Sequence, residues 1–442
     1  MSKNKMAGDW YHSWLLVPIF LLMLPGLILT QPLNFEEFTL ANGLKVYYQQ
    51  DPQIKFTTVV FHFTGGQSLE KENQAGLSYL TIRLMAEVAD EDKLAELLSS
   101  GINLSAGSRA NFSYLQFDCC SQYLEKTLAI VASGLKKPTF SGLRIDNVKK
   151  TLRLESGKEA CRLIDSALIC LKQQLFPRAP YRHSLFGTEA SLKSLTRKEV
   201  SQFYDSLVNS ANLSLIVISD LESQVILNFF SKHLAWIKKS GILKAEPAYS
   251  ISEKGQAGES SSHCDYYRGP AGAAALLAYP LPGEISQIYP AAYVLEKMIG
   301  EGPASLIWSL RQETGLAYNV NSRLEIIERR PIFICYLETD SEEARQAQNS
   351  LKDFFARLSQ EGWPEKEVAA GRVLARNTYL RESAGREARL SFLSILLANN
   401  LAVSFYNKFL NYIDSVTADD LNRLLESAFK PEQAYEIFLV KD

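Results

Sequence analysis

The sequence predicts an α+β chain built from two homologous domains. Three observations carry this. Short apolar runs that alternate, the mark of half-buried strands, recur among longer stretches with helical period. The order of these runs in the first half returns in the second. Finally, Ser194-Leu-Thr-Arg-Lys-Glu-Val-Ser-Gln-Phe and Ser415-Val-Thr-Ala-Asp-Asp-Leu-Asn-Arg-Leu match at a constant offset of 221. Each copy sets a Thr three residues before an acid, Thr196 with Glu199 and Thr417 with Asp420. That pairing satisfies the first orphan amides of a helix. Each copy then runs into a final apolar strand.

Length and composition bound the rest. At 442 residues the chain exceeds one ordinary core. Its 46% hydrophobic and 22% charged residues are those of a folded globular protein. A net charge of −2 with no basic run excludes a nucleic-acid footprint. The N-terminus differs. Lys3 and Lys5 precede an uncharged apolar run of 17 residues, Trp14–Thr30. This reads as an export signal or as an uncleaved membrane anchor, with the body outside the cytoplasm. The six cysteines, at 119, 120, 161, 170, 264 and 335, have no CxxC spacing, and buried free thiols are the default reading.

The elements follow in order. Glu36–Leu40 and Leu44–Gln49 form a hairpin across Ala41-Asn42-Gly43. Phe56–Phe63 alternates as a strand. In Gly76–Met85, Leu77, Leu80, Leu84 and Met85 recur at helical spacing, which predicts an amphipathic helix packed on a sheet. Asp92–Ser99 is helical. Gly101–Arg109 reads as a turn, and Ala110–Cys119 as a strand. Helices follow at Leu124–Leu135, Arg144–Leu175 (in two pieces) and Leu195–Leu207, then a strand at Leu213–Ile218. Residues 241–265 read as a linker between domains at 34–240 and 266–442. The second half gives strands at Ala273–Tyr279, Leu324–Ile327, Ile332–Glu338 and Ala434–Val440. Its helices are Tyr289–Ile299, Ala304–Thr314, Ser341–Ser359, Pro364–Ser383, Glu387–Asn399 and Ala418–Ala428. The charges of the Ser341–Asn399 helices read mainly as solvated faces.

Several segments together resemble one family. They are Thr39-Leu-Ala-Asn-Gly-Leu-Lys-Val, Gly76-Leu-Ser-Tyr-Leu-Thr-Ile-Arg-Leu, Pro180-Tyr181, Phe186-Gly-Thr-Glu and Leu310-Arg-Gln-Glu-Thr-Gly-Leu-Ala-Tyr318. Over about residues 34–442 the chain resembles the insulinase/pitrilysin group of zinc peptidases, the inverzincins. It is most similar to their bacterial and mitochondrial-processing-peptidase branch. The resemblance implies two domains, each an antiparallel sheet with helices on one face, closing as a clamshell. In that family H-x-x-E-H supplies two zinc ligands and a general base. Here those positions hold Tyr79, Ile82 and Arg83, and the family's third ligand falls on Glu155. Ile82 takes no proton, and Arg83 is a fixed cation that repels a metal. The five histidines (12, 62, 183, 233 and 263) offer no i, i+4 pair. The resemblance therefore implies no metal in this chain and no independent peptidase activity. Glu155 is left as either a solvated helix acid or the ion-pair partner of Arg83.

Arg311 and Tyr318 read alone as a helix-end cation and a core tyrosine. The resemblance gives them another role: facing a zinc site across a closed chamber and stabilising the oxyanion there. It implies a noncatalytic subunit that supplies Arg311 and Tyr318 to a zinc-bearing homologous partner, with an extended peptide as substrate. The alternative is an envelope peptide-binding or scaffolding protein with no peptidase partner. Ala110–Cys119 is either an edge strand that adds a peptide or an ordinary sheet strand.

Overall fold

The computed structural model describes residues 34–441, apart from 89, 178–179, 240–250, 252–265, 301–304 and 316. The Trp14–Thr30 run, and the 241–265 linker except Ile251, lie outside the described residues. The first half runs β1 (Glu36–Thr39), β2 (Lys45–Gln50), β3 (Phe56–Thr64), α1 (Leu77–Met85), α2 (Glu91–Ser99), β4 (Asn103–Ser108) and β5 (Phe112–Cys120). It continues with α3 (Leu124–Lys136), α4 (Gly142–Ala160), α5 (Leu163–Leu175), α6 (Glu189–Ser194), α7 (Arg197–Leu207), β6 (Leu213–Ser219) and α8 (Ser223–Leu234). The second half runs β7 (Gly272–Pro280), α9 (Ile285–Ile299), α10 (Ser309–Thr314), β8 (Asn319–Ile327), β9 (Arg330–Thr339), α11 (Ala344–Glu361), α12 (Glu365–Glu382), α13 (Arg386–Ala398), α14 (Val403–Ser415), α15 (Ala418–Ala428) and β10 (Tyr435–Lys441).

The repeat read in the sequence is a structural repeat. Thr196 and Thr417 each cap their helix in a reciprocal box, accepting from the Glu199 and Asp420 amides at 3.3 and 3.2 Å. The correspondence also extends upstream. α4 and α12 begin at Gly142 and Glu365, and α5 and α13 at Leu163 and Arg386, each pair 223 positions apart.

Each half has its own sheet. The first is six-stranded in the order β1-β2-β6-β3-β5-β4, the second four-stranded in the order β10-β7-β9-β8. The second is antiparallel throughout. The first is antiparallel except where β6, returning after the helices, inserts between β2 and β3 and runs parallel to β2. Of the two readings of Ala110–Cys119, the ordinary sheet strand is the one observed: β5 lies inside the sheet between β3 and β4. The edge is β4, in the stretch read as a turn. Its sequence, Asn-Leu-Ser-Ala-Gly-Ser, lacks the large apolar residues that mark a strand.

The sheets are covered on both faces, not one. Alternation along β3 sends Val59, Phe61 and Phe63 into a core with Leu80, Leu128 and Leu152 of its own half. Val60, with Tyr47 and Ile216, faces the other way and packs with Leu390, Leu393 and Tyr406 of the second half. The exchange is reciprocal. Leu168, Leu171 and Leu175 of α5 leave the first half to cover Ala274, Leu276, Ile334 and Leu439 of the second sheet. The two halves thus close on each other, and exchanged helices fill the closure.

A charged cluster pins this closure. The Asp51 carboxylate accepts from Arg389 at 2.9 Å and from Arg386 at 3.2 Å, and Arg389 also donates to Gln49 at 2.6 Å. Burial pushes the Asp51 carboxyl up, but Arg389 and Arg386 together hold it below the usual range. On the same β3 face lies His62, fully buried, with no hydrogen-bond partner for either ring nitrogen among the described residues. Its ring stacks on Phe112 at 5.2 Å, and burial lowers its pKa to about 4. The default of buried free thiols holds for Cys119 and Cys335 and is corrected elsewhere. Cys170 is disulfide-bonded, and the free Cys120 and Cys161 are exposed.

Two predictions follow from the closure. Arg389→Met leaves a buried carboxylate half-compensated and should lower stability by about 3 kcal/mol in denaturant unfolding. The Asp51→Leu, Arg389→Leu double variant should lose less. His62 charges readily only when unfolded, so its burial lowers stability as pH falls from about 6.5 to about 4, by roughly 3 kcal/mol in all. Glu70, raised to about 7 by burial, acts with the opposite sign, since its folded form favours the proton. The His62 effect is therefore read as the difference between wild type and His62→Leu in unfolding measured across that range.

Candidate functional site

Helix α1 occupies the place of the emptied motif, and its start shows why it forms there. Gly76 adopts φ +87°, and a Cβ on it would meet the Gly187 Cα at 2.8 Å. The Gly76 and Phe186-Gly-Thr-Glu segments are therefore one backbone contact. A buried carboxylate caps the helix: Glu70 accepts from the Gly76 amide at 3.1 Å, the Ser78 amide at 2.8 Å and the Ser78 hydroxyl at 2.6 Å. Ser78 accepts from Ser108 at 3.0 Å, and Ser108 meets Ser113 at 3.0 Å, which ties α1 to the β4–β5 hairpin. Burial lifts the Glu70 pKa to about 7, while these hydrogen bonds pull the other way. The sequence did not single out Glu70, because it sits too far ahead of the helix to read as a cap.

The motif positions diverge in environment. Ile82 is fully buried in the first-half core. Arg83 is exposed on the last turn of α1. Tyr79 is half-buried, with its ring 5.1 Å from Phe186. Burial raises the Tyr79 pKa, and its hydroxyl also feels Tyr114, Arg83, Arg109 and Glu155. The structure therefore gathers Tyr79, Arg83 and Glu155 in one neighbourhood. It does not pair Arg83 with Glu155, so of the two readings of Glu155 the ion pair is corrected and the helix acid stands. The Glu155 carboxylate bonds Lys158 at 2.8 Å on its own helix. Arg83 meets no acid within ion-pair distance among the described residues. Its exposure explains this, since water solvates the guanidinium and no buried partner is required.

A metal does not fit this place. An apolar side chain sealed in the core, an exposed cation and a carboxylate held by lysine supply no ligand set. Among the described residues no group of three or more His, Cys, Asp or Glu could hold a metal ion.

Arg311 and Tyr318 form a second, separate unit. α10 ends at Gly315 with φ +68°, which turns the chain so that Tyr318 begins β8. Arg311 donates to the Tyr318 carbonyl at 2.9 Å and lies over the Trp308 ring at 4.7 Å. Tyr318 is 62% exposed, not the core tyrosine of the bare sequence reading, and its hydroxyl donates to Asp340. The Asp340 carboxylate raises the Tyr318 pKa. No hydrogen bond or ion pair among the described residues joins this unit to Tyr79, Arg83 or Glu155. A cleft of about 360 Å³ lies between the β4–β5 hairpin and α13, lined by Ser105, Arg109, Tyr114, Gln116, Glu387 and Ser394.

Residues 45–189 match the family model described as insulinase (peptidase family M16), and residues 194–372 match the peptidase M16 inactive domain. The chain belongs to the M16 peptidase family. Within M16 it is a member without the catalytic motif. It is 20% identical over 388 residues to the non-peptidase homolog YmxG of Helicobacter pylori, covering 86% of this chain and 88% of that protein. It is 22% identical over 201 residues to human mitochondrial cytochrome b-c1 complex subunit 1, covering 45% of this chain and 42% of that subunit. The crystal structure of a protease from Helicobacter pylori shares the M16 fold, with a TM-score of 0.81 and 16% identity over 92% of this chain and all of that one.

Restoring the family's general-base position should fail structurally. Ile82→Glu would place a carboxylate in the first-half core, and denaturant unfolding should show a loss of about 3 kcal/mol or more. A variant as stable as wild type would mean that the Ile82 site opens to water.

Proposed function

We propose that this chain is the noncatalytic subunit of a two-chain zinc peptidase. It completes the substrate chamber and presents Arg311 and Tyr318 to a homologous partner that carries the zinc. The observation that carries this reading is a contrast between two places. The chain's own motif helix is sealed by Ile82, while Arg311 and Tyr318 are coupled to each other and turned outward.

The chemistry suits that role. Stacking on Trp308 and bonding the Tyr318 carbonyl fix the guanidinium, so little freedom is lost when it meets a carbonyl. Asp340 orients the Tyr318 phenol at the same surface. A fixed cation and a phenol aimed at a developing oxyanion lower the barrier of peptide hydrolysis. Exposed Leu306 and half-buried Trp308 lie beside them, of the residue types enriched where chains meet. Cytochrome b-c1 complex subunit 1, to which part of the chain is similar, is by its name one subunit of a complex. Zinc is the partner's cofactor in this reading, not this chain's.

The proposed location is extracytoplasmic, with the body exported and tethered or released at Trp14–Thr30. Lys3 and Lys5 ahead of that run support it. So does the disulfide at Cys170, since such bonds persist in oxidising compartments.

A second reading, a peptide-binding or scaffolding protein of the envelope without a peptidase partner, has its own support. Edge strand β4 lies beside the cleft, and an extended peptide would pair with that edge.

The two readings separate in one purification. Tagged protein drawn from its native envelope should bring with it an H-x-x-E-H homologue and a chelator-sensitive peptide cleavage activity. Arg311→Ala in the reconstituted pair should lower turnover about 100-fold with the Tm of this chain unchanged. Unchanged turnover would move the choice to the peptide-binding reading.

A further inference from the structure

The cleft between the β4–β5 hairpin and α13 carries opposite charges at its two ends. Alternation along β5 sends Phe112, Tyr114 and Gln116 to one face, where with Val60 of β3 they form the floor. Leu390, Ser391 and Ser394 of α13 form the facing wall. Two hydrogen bonds fix the direction of that wall. At the start of α13 the Gln116 side chain donates to Glu387 at 2.5 Å. Just past its end the Asn111 side chain donates to the Asn399 side chain at 3.2 Å. α13 therefore runs antiparallel to β5. A strand rises about 17 Å from Asn111 to Gln116, and a helix about 18 Å from Glu387 to Asn399, so the two sides match in length. Glu387 lines one end of the cleft, and Arg109, two residues before Asn111, lines the other.

These charges are uncompensated. Arg109 is exposed and meets no acid within ion-pair distance among the described residues. Glu387 bonds the neutral Gln116, and among the described residues no cation lies within ion-pair distance of it. Its neighbours Arg386 and Arg389 are held by Asp51. Gln116 also donates to Asp118 at 3.2 Å, and Asp118 accepts from Thr58 at 2.7 Å. A second carboxylate without a cation thus backs the Glu387 end. Arg109 and Glu387 do not pair with each other, because the length of the cleft separates them. Between them the lining turns to Val60, Tyr114 and Leu390, with the hydroxyls of Ser391 and Ser394.

We infer that this cleft binds a short peptide by both of its free termini, the ammonium at Glu387 and the carboxylate at Arg109. The inference rests on the peptide-binding reading and adds to it the length and direction of the ligand. A simple anion or cation would satisfy one end and leave the other unpaired. A zwitterion of matching length satisfies both. Across at most about 17 Å, extended chain needs about three to five residues. The volume, about 360 Å³, is that of a small-ligand site. The guanidinium fork of Arg109 suits a carboxylate, and the carboxylate of Glu387 accepts from an ammonium. Apolar side chains in the middle of the peptide meet Tyr114 and Leu390. A long polypeptide reaches only one end with a terminus, so the cleft selects fragments over intact chains.

The test is equilibrium dialysis of the full chain against a pool of tetrapeptides with varied apolar central residues, read by mass spectrometry. The pool is supplied in four forms: both termini free, N-acetylated, C-amidated, and blocked at both ends. The free form should be retained, and each block should weaken binding about tenfold, the loss of one charge-assisted contact. Arg109→Gln should abolish the difference between free and amidated peptides and keep the effect of acetylation. Glu387→Gln should do the converse. Both side chains are exposed, so the Tm of each variant should match wild type. Equal binding of the free and doubly blocked forms overturns the inference and leaves the peptide-binding reading standing. An Arg109→Gln variant that loses the acetylation effect instead overturns the assigned direction and the inference with it. Retention of no form at all removes both the inference and the reading beneath it.

Discussion

Two helices that leave their own half to cover the other half's sheet hold this fold together. α5 lies on the second sheet and α13 on the first, at corresponding positions of an internal repeat. A lone half would expose one whole sheet face, a cost no surface polarity relieves. The exchange therefore makes the halves mutually obligatory. It also explains where the buried charge sits. Arg386 and Arg389, at the start of α13, reach Asp51 at the end of β2. A buried ion cluster adds little net stability, but it penalises any register that leaves one member unpaired. The apolar exchange supplies the adhesion, and the ions specify where it closes.

The same logic governs the emptied motif. The helix that carries polar ligands in the family is here, at Ile82, part of the core. What remains fixed is its position, through the Gly76–Gly187 approach and the Glu70 cap. These constraints act on the backbone and are indifferent to the chemistry of the exposed face. That is why the helix keeps its place although Tyr79, Ile82 and Arg83 supply no zinc ligand. Arg83 and Glu155 share the neighbourhood but not a bond. A half-exposed acid gains as much from Lys158 one turn away as from a cation across the site.

Much of this was legible in the sequence. The capped repeat at Thr196 and Thr417, the amphipathic Leu77–Met85 helix and the strand at Ala273–Tyr279 all follow from side-chain period and capping chemistry, which are local. The illegible parts are set by partners distant in sequence. β4 was missed because its strand character comes from pairing with β5, not from its own small residues. Helices α8 and α14 were missed for a related reason, as their apolar positions are read against sheets that the local pattern does not show. Tyr318 was misread as core because nothing in its neighbours reports that Gly315 turns it outward. At the site, the loss of the zinc ligands was plain from residue identity. The role of Glu70 was not, since a cap from six residues upstream depends on the path of the intervening turn.

The two candidate places of the molecule differ in how they are held. The first-half site is closed by packing, and restoring it requires a charge in a core. The second-half unit is held only by surface interactions, with Arg311 on Trp308 and Tyr318 on Asp340. A purely structural protein has no use for a cation and a phenol fixed in the open, because neither contributes measurably to stability at that exposure. Their arrangement costs side-chain freedom without a compensating gain inside this chain. In the proposed function the gain comes from what the pair meets outside the chain, a group that develops negative charge.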